Sequence, residues 1–396
     1  MKILCVISSF LPQIGGAELA VHNLAEGYKS LGHDVVVYTT TKSNNVNFEH
    51  TYDLYRLDKI PRGLTITRTL DTYLTQKLLR FAASWRPDVI HVHYAWPFGY
   101  AALHVRSKLG CPVFITSHGA DIQRTPEINY GYRLKPWINR HVCNTVISAN
   151  GLIAISEEIY NEFIVIGAKR EGIIRLPNSI NYSLIASPID KLQARANLNL
   201  PADRPVIVAV GRNHPKKRFA ELIRIIAIAA LSTPNILCVI VGYNTKLLEN
   251  YVSAAKLENN VLLRSQATPI GCEAMCGTQM QMNILDYYKA ADMYIIPSSV
   301  EGLPVATIEA MASGLPILAA NKPGLKDLVI DGQNGKLIDF DDLEGFAQII
   351  NEWSKDYITR DSLGKASQKQ AMDYDREIVA QKHLAFFKSA GKLNVN

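Results

Sequence analysis

No stretch of this 396-residue chain stays apolar long enough to cross a bilayer. Residues 1–9 are apolar almost from the start, with Lys2 alone ahead of the run. They lead into PQIGGAE and not into a small-residue cleavage site, so they read as a first strand rather than a signal peptide. The cytoplasm is then the expected compartment. Cysteine is scarce, with six in all. Cys5, Cys111 and Cys238 lie inside strand-like apolar runs, where cysteine acts as a small hydrophobe, and Cys143 falls near a helix. Cys272 and Cys276 form the one close pair, and no second pair or nearby histidine completes a zinc site. No GxGxxG follows the opening strand of either half, which disfavours a dinucleotide reductase. No basic run with interleaved aromatics points to nucleic acid.

What is present is ordinary in bulk and specific in detail. The length exceeds one ordinary core and suggests two domains. Apolar residues make up 48% and charged residues 20%, which fits a globular protein. The net charge is +6, most of it within the first 180 residues. That excess suits an anionic acceptor or peripheral contact of the first domain with an anionic membrane on its inner face. Two stretches open alike, KILCVISS at 2–9 and RPVIVAVG at 204–211. Each is an apolar strand followed by a Gly-bearing turn and a helical pattern. Further apolar runs follow at 34–39, 89–92, 113–116 and 152–154, then at 237–241, 261–263, 293–296 and 317–319. β-branched runs alternating with helices predict parallel sheets covered on both faces. The class is α/β, with two Rossmann-like units and a connecting stretch near 183–205. Ligand loops are expected at the carboxyl ends of the strands.

One stretch organises the rest: residues 297–316, PSSVEGLPVATIEAMASGLP. It leaves a buried strand, makes a short polar loop, and turns helical near Pro304, where a missing N–H costs nothing. Gly314 and Pro316 stop that helix. First-turn amides have no intrahelical partner and the dipole adds positive potential, so such an end binds anions. Gly302, Leu303, Pro304 and Val305 line it. Glu301 in the loop and Glu309 on the second turn flank the same point, because helical side chains tilt toward the N-terminus. A phosphate between two carboxylates makes sense when hydroxyl-rich rings lie on both sides of it, as in a nucleotide sugar. On spacing alone, two glutamates eight apart are common.

The string PSxxEGLPxxxxEAMAxGxP resembles the donor-site signature of the retaining GT-B glycosyltransferases of glycosyltransferase family 4. Other segments share the resemblance. PQIGGAE at 12–18 resembles the family's PxxGGxE loop, with Gly16 the better candidate of its two glycines for close approach to the donor. RPDVIHVH at 86–93 resembles a family strand whose last histidine lies near the cleft; His91 and His93 share a face, and His93 is not read as catalytic. The T-x-H-G-x-D arrangement appears as Thr116, His118, Gly119 and Asp121. It implies that His118 touches the donor sugar, while Asp121 either orients it or binds acceptor. In GRNHPKKR at 211–218, Arg212 and Lys217 match the two cations of GRxxxxKG, with Arg218 where glycine is usual. LPNSIN at 176–181 replaces PNGxD, with Ser179 for Gly and Asn181 for Asp. VGY at 241–243 keeps the first half of VGxG, and residues 269–281 stand where the family has a short loop.

The resemblance implies a GT-B architecture of two Rossmann-like domains facing across a deep cleft. The N-terminal acceptor domain spans 1–185, with 377–396 packing back on it as a helix; the donor domain spans 204–376. It implies a hexosyltransferase acting with retention. The donor is a nucleotide diphosphate sugar, a UDP-sugar before GDP-mannose, and the acceptor a hydroxyl of a glycan or lipid-linked molecule in surface polysaccharide or glycolipid synthesis. His118, Glu301, Arg212 and Lys217 are its catalytic set. Arg212, Lys217 and the amides at 302–305 neutralise the leaving diphosphate, so no metal is required, and no DxD motif stands where it would hold one. No resident cofactor is expected. A catalytically silent GT-B partner subunit and a nucleotide-sugar epimerase are the other readings.

Overall fold

A computed structural model describes residues 1–42, 47–57, 70–272, 275 and 282–392. The chain folds as two compact units, one made of 1–179 with 376–396 and the other of 180–375.

The first unit is built on a parallel sheet of seven strands: β1 (Lys2–Ile7), β2 (Asp34–Thr39), β3 (Asp53–Arg56), β4 (Val89–His93), β5 (Val113–Ser117), β6 (Gly151–Ala154) and β7 (Ile173–Arg175). Their spatial order is 3-2-1-4-5-6-7. β1, β4, β5 and β6 are buried nearly throughout, as strands covered on both faces must be. Register places Cys5 beside His91 and His93 beside Thr116, so the chemistry-bearing ends of β4 and β5 lie level. The helix Arg376–Lys392 belongs to this unit and packs on the helix Gly16–Ser30. Gly27 makes that contact close: a Cβ there would stand 2.4 Å from the Arg376 carbonyl oxygen.

The second unit holds a six-stranded parallel sheet: β8 (Val206–Val210), β9 (Leu237–Val241), β10 (Val261–Arg264), β11 (Met293–Ile296), β12 (Ile317–Ala320) and β13 (Gly335–Ile338). The order is 10-9-8-11-12-13, the same winding as the first unit. In each sheet the chain reverses its direction of growth beside the first strand, at β1/β4 and at β8/β11. That switch point is where open α/β sheets place ligands.

The stretch 183–205 is not a connection between domains. It folds as part of the second unit, where the helix Lys191–Asn197 packs on the helix Ile284–Ala290. Arg195 is buried there, pairing with Asp292 at 2.7 Å and donating to the Ala290 carbonyl. The division therefore falls at 179/180, not at 185 or 204. Within the segment 269–281, Cys272 is buried, while its neighbour in the close pair, Cys276, lies outside the described residues with most of that segment. No helix among the described residues is long and apolar enough to cross a membrane.

Candidate active site

In the second unit two loops leave the switch point, 211–218 after β8 and 297–304 after β11. They are tied by a backbone bond from the Ser299 amide to the Lys216 carbonyl, 2.8 Å. The helix Val305–Ala312 then begins, with Pro304 as its N-cap and no side chain capping its first turn. Gly324, at φ 78°, braces this loop from β12: a Cβ would stand 2.6 Å from the carbonyl oxygens of Glu301 and Gly302. A close approach also explains the glycine of VGY. A Cβ on Gly242 would lie 1.8 Å from the Gly211 carbonyl oxygen, so no other residue lets these two strand ends meet.

Glu301 lies at the centre, 4% exposed, and its carboxylate is held by two ammonium groups. Lys217 Nζ is 2.6 Å from Oε1 and Lys216 Nζ 3.1 Å from Oε2. Burial raises a carboxylate's pKa, but here the lysines outweigh it and hold Glu301 down to about 2. Burial pulls Lys217 the other way, below the ordinary lysine range, with Glu301 opposing. Lys216 has no counterpart among the expected site residues. Its signal was the doubled lysine of GRNHPKKR, which a pattern naming one cation passes over; the turn Pro215–Lys217 aims both at Glu301. His214 Nδ1 accepts the Lys216 amide at 3.3 Å and stiffens that turn. Arg212 is exposed, and no hydrogen bond or ion pair holds it among the described residues. Three cations against one carboxylate, beside an uncapped helix end, leave an excess of positive charge suited to an anion.

Glu309, on the second turn of the helix Val305–Ala312, is buried. It is 6% exposed and accepts a hydrogen bond from Tyr288 Oη at 2.9 Å. Burial pushes its pKa up to about 7, with the tyrosine bond opposing. Arg218, where the family pattern has glycine, takes the left-handed conformation at φ 53°. Its guanidinium compensates by lying 3.9 Å over the Phe340 ring and pairing with Asp341 at 3.3 Å. Asn181, the position that departs from PNGxD, caps the helix Tyr182–Ile185 by accepting the Leu184 amide.

The first unit's switch point is made of rings. His118 follows β5 and is half-buried, its Nε2 3.0 Å from Nδ1 of His93 at the end of β4. One nitrogen of the two carries the shared proton, and His118 Nδ1 and His93 Nε2 meet no hydrogen-bond partner among the described residues. Burial pushes His118 down to about 3, so it acts as a neutral imidazole. A small cavity of about 10 Å³ beneath it is lined by His93, Thr116, Asn178, Ser179 and His383, among others. Asp121 is fully buried. Its oxygens accept the amides of Ala95 (2.8 Å) and His118 (3.2 Å), so it holds the loop in place and does not present itself to an acceptor. Gly16 opens the helix Gly16–Ser30, and nothing lies within 4 Å of where its Cβ would be. Packing does not require that glycine, which leaves room for a ligand.

Cys5, His91 and His93 bring ligand-type atoms within 4.8 Å of one another, the one such group among the described residues. It does not fit a metal. His91 spends both nitrogens on Tyr28 Oη (3.3 Å) and Thr116 Oγ1 (2.8 Å), and burial pushes the Cys5 thiol up to about 12.

Two doubly wound parallel sheets, each with its functional loops at the switch point, define the GT-B class of glycosyltransferase. Residues 14–184 match the model for Glycosyltransferase Family 4 and residues 190–370 that for Glycosyl transferases group 1. The chain belongs to the GT-B glycosyltransferases of this family. A D-inositol 3-phosphate glycosyltransferase from Thermobispora bispora is 28% identical over 296 residues, 69% of this chain and 65% of that protein, a little under two-thirds of its length. A sucrose-phosphate synthase from Thermosynechococcus elongatus shares the fold at a TM-score of 0.82 and 21% identity over the whole of both chains. The Anabaena protein HepE, solved with UDP-glucose, does so at 0.79 and 22%, covering 98% of this chain and all of that one.

Proposed function

We propose that this protein transfers a hexose, with retention and without a metal, from a UDP-sugar to a hydroxyl of a glycan or lipid-linked acceptor in cell-surface polysaccharide or glycolipid synthesis. The observation that carries the reading is Glu301 buried against Lys216 and Lys217 beside an uncapped helix end. The HepE complex with UDP-glucose supports the choice of donor.

The bond that breaks joins the anomeric carbon to a β-phosphate oxygen, and its electron pair goes to the phosphate. Fixed positive groups aimed at that oxygen lower the barrier most. Lys216, Lys217, Arg212 and the amides of Gly302, Leu303 and Val305 supply this, Lys217 by giving up part of its hold on Glu301. The freed carboxylate accepts hydroxyl hydrogens of the sugar and fixes its orientation. His118, neutral and just past the end of β5, is the first unit's candidate for meeting a sugar hydroxyl. The acceptor oxygen bonds to the anomeric carbon on the face the phosphate leaves, and its proton passes to that phosphate, which gives retention.

The test is incubation with UDP- and GDP-sugars, following released nucleotide, with Lys217→Ala alongside. Release of UDP by the parent and its loss in the variant are expected. No release from any nucleotide sugar would favour a silent partner subunit, and conversion of one UDP-sugar to another without release would favour an epimerase.

A further inference from the structure

We infer that Tyr94, Trp96, Tyr132 and Trp137 of the first unit form a stacking platform for the pyranose rings of an oligosaccharide acceptor, so that the protein extends a glycan of several sugars. This rests on the glycosyltransferase reading above and names the acceptor class.

The rings form a continuous file that starts at His118. Tyr94 lies 5.3 Å from the His118 ring, and Tyr132 lies 6.3 Å from Tyr94. Trp96 follows at 6.4 Å and 82° to Tyr132, and Trp137 at 5.3 Å and 87° to Trp96. Large rings elsewhere in this unit, such as Tyr28, Phe98 and Phe114, are buried in the core. These four are not: Tyr132 is 41% exposed and the other three are half-buried. Contiguous apolar surface open to solvent marks binding sites, and this file is partly open along its length. Rigid rings with two side-chain torsions supply contact area at small entropic cost.

The file is fixed from behind. Tyr94 takes φ 77°, a costly conformation for a bulky residue, and is held there by its own amide on the Thr116 carbonyl (2.9 Å) and the next amide on Asp121. Trp96 Nε1 donates to Asp71 Oδ1 at 3.1 Å, and His141 Nε2 lies 3.5 Å from the other oxygen of that carboxylate. The polar edge of Trp96 is thus satisfied inside the protein, while the ring itself stays partly exposed.

Asp71 also selects the occupant. Its carboxylate, mostly buried with Trp96 and His141 as partners, adds negative potential at the border of the rings that disfavours an anionic lipid surface. A sugar suits both features: its C–H face meets the electron-rich ring face and its rim hydroxyls donate to the carboxylate.

The test uses the full chain. Maltotetraose, cellotetraose, chitotetraose and glucose are titrated by tryptophan fluorescence and calorimetry, with UDP-glucose affinity measured on the same samples. At least one tetrasaccharide is expected to bind about tenfold or more tightly than glucose, and Tyr132→Ala or Trp137→Ala to weaken it about tenfold. UDP-glucose affinity should stay within about twofold in both variants, which also shows that they fold. Tetrasaccharides no tighter than glucose, variants without effect, or binding of phosphatidylglycerol vesicles through the same residues would each overturn the inference. Tetrasaccharide binding without any nucleotide-sugar binding would uphold the platform while sinking the transfer reading.

Discussion

The two units wind their sheets alike and put their functional loops at the same topological point, yet fill that point with opposite materials. At β1/β4/β5 the side chains are neutral imidazoles and aromatic rings, His93, His118, His383 and Tyr94, with burial holding the histidines uncharged. At β8/β11 they are ions, Glu301 against Lys216 and Lys217, with Arg212 beside them. A shared backbone plan therefore supplies position, and the residues on it supply the chemistry. Rings grip by shape and C–H contact, which suits sugars. Ions grip by charge, which suits phosphate.

The sharpest way to break this contrast is to remove charge from the second unit. Lys217→Ala should lower nucleotide release by about 10²–10³-fold, the cost of losing a donor aimed at developing charge. The comparison predicts that His118→Phe acts on turnover but leaves UDP affinity unchanged, and calorimetry with UDP separates the two. Equal loss of UDP affinity in both variants would dissolve the distinction.

Acidity should separate the units next. His22, His118 and His383 are each held down to about 3, against an ordinary value near 6.5. Below pH 6.5 the unfolded chain takes up protons that the folded one refuses, so stability falls as pH drops from 6.5 toward 3. Each histidine costs about 1.4 kcal/mol per pH unit in that window. Hydrogen exchange at pH 5.0 and 7.5 should show protection lost first in the first unit, including the helix Arg376–Lys392 that carries His383. For the same reason no ionisation of His118 should appear near pH 6.5 in the rate profile.

Glu309 gives the second unit the opposite slope. Its pKa is up to about 7 in the fold against 4.5, so the folded state holds a proton the unfolded one has released, and stability falls as pH rises from 4.5 through 7. Glu309→Gln should therefore stabilise this unit at pH 8 by about 2–3 kcal/mol, read by denaturant unfolding, and weaken donor binding. If the gain is as large at pH 4 as at pH 8, the buried proton is not its source. The smallest effect is expected at Arg218. Arg218→Gly relieves a left-handed residue and loses the Phe340 stack, and the two should cancel to within about 1 kcal/mol.

Much of the architecture was readable in the residues because buried parallel strands are written as unbroken apolar runs. The ten runs noted at first all appear as strands, shifted by one or two residues. The other three, β3, β7 and β13, are short and partly exposed, so they carry no continuous apolar signal. The stretch 183–205 looked like a linker because it carries Pro, Ser and Asp. Only packing of Arg195 against Asp292 draws it into the second unit. At the site, the motif residues were legible as types: an uncapped helix start, a loop glutamate, two cations, a histidine past a strand end.

Residue order alone settled the α/β class, the doubling of the plan and the identity of the motif side chains, because each is encoded locally by periodicity and turn chemistry. Partnership was decided only by the folded chain. That Lys216 joins Lys217 on Glu301, that Tyr288 covers Glu309, that Asp121 turns inward to amides and that four aromatic rings line up from His118 are all contacts made across the fold. Their energies depend on burial and distance, quantities that exist only once strands and loops far apart in the chain have met.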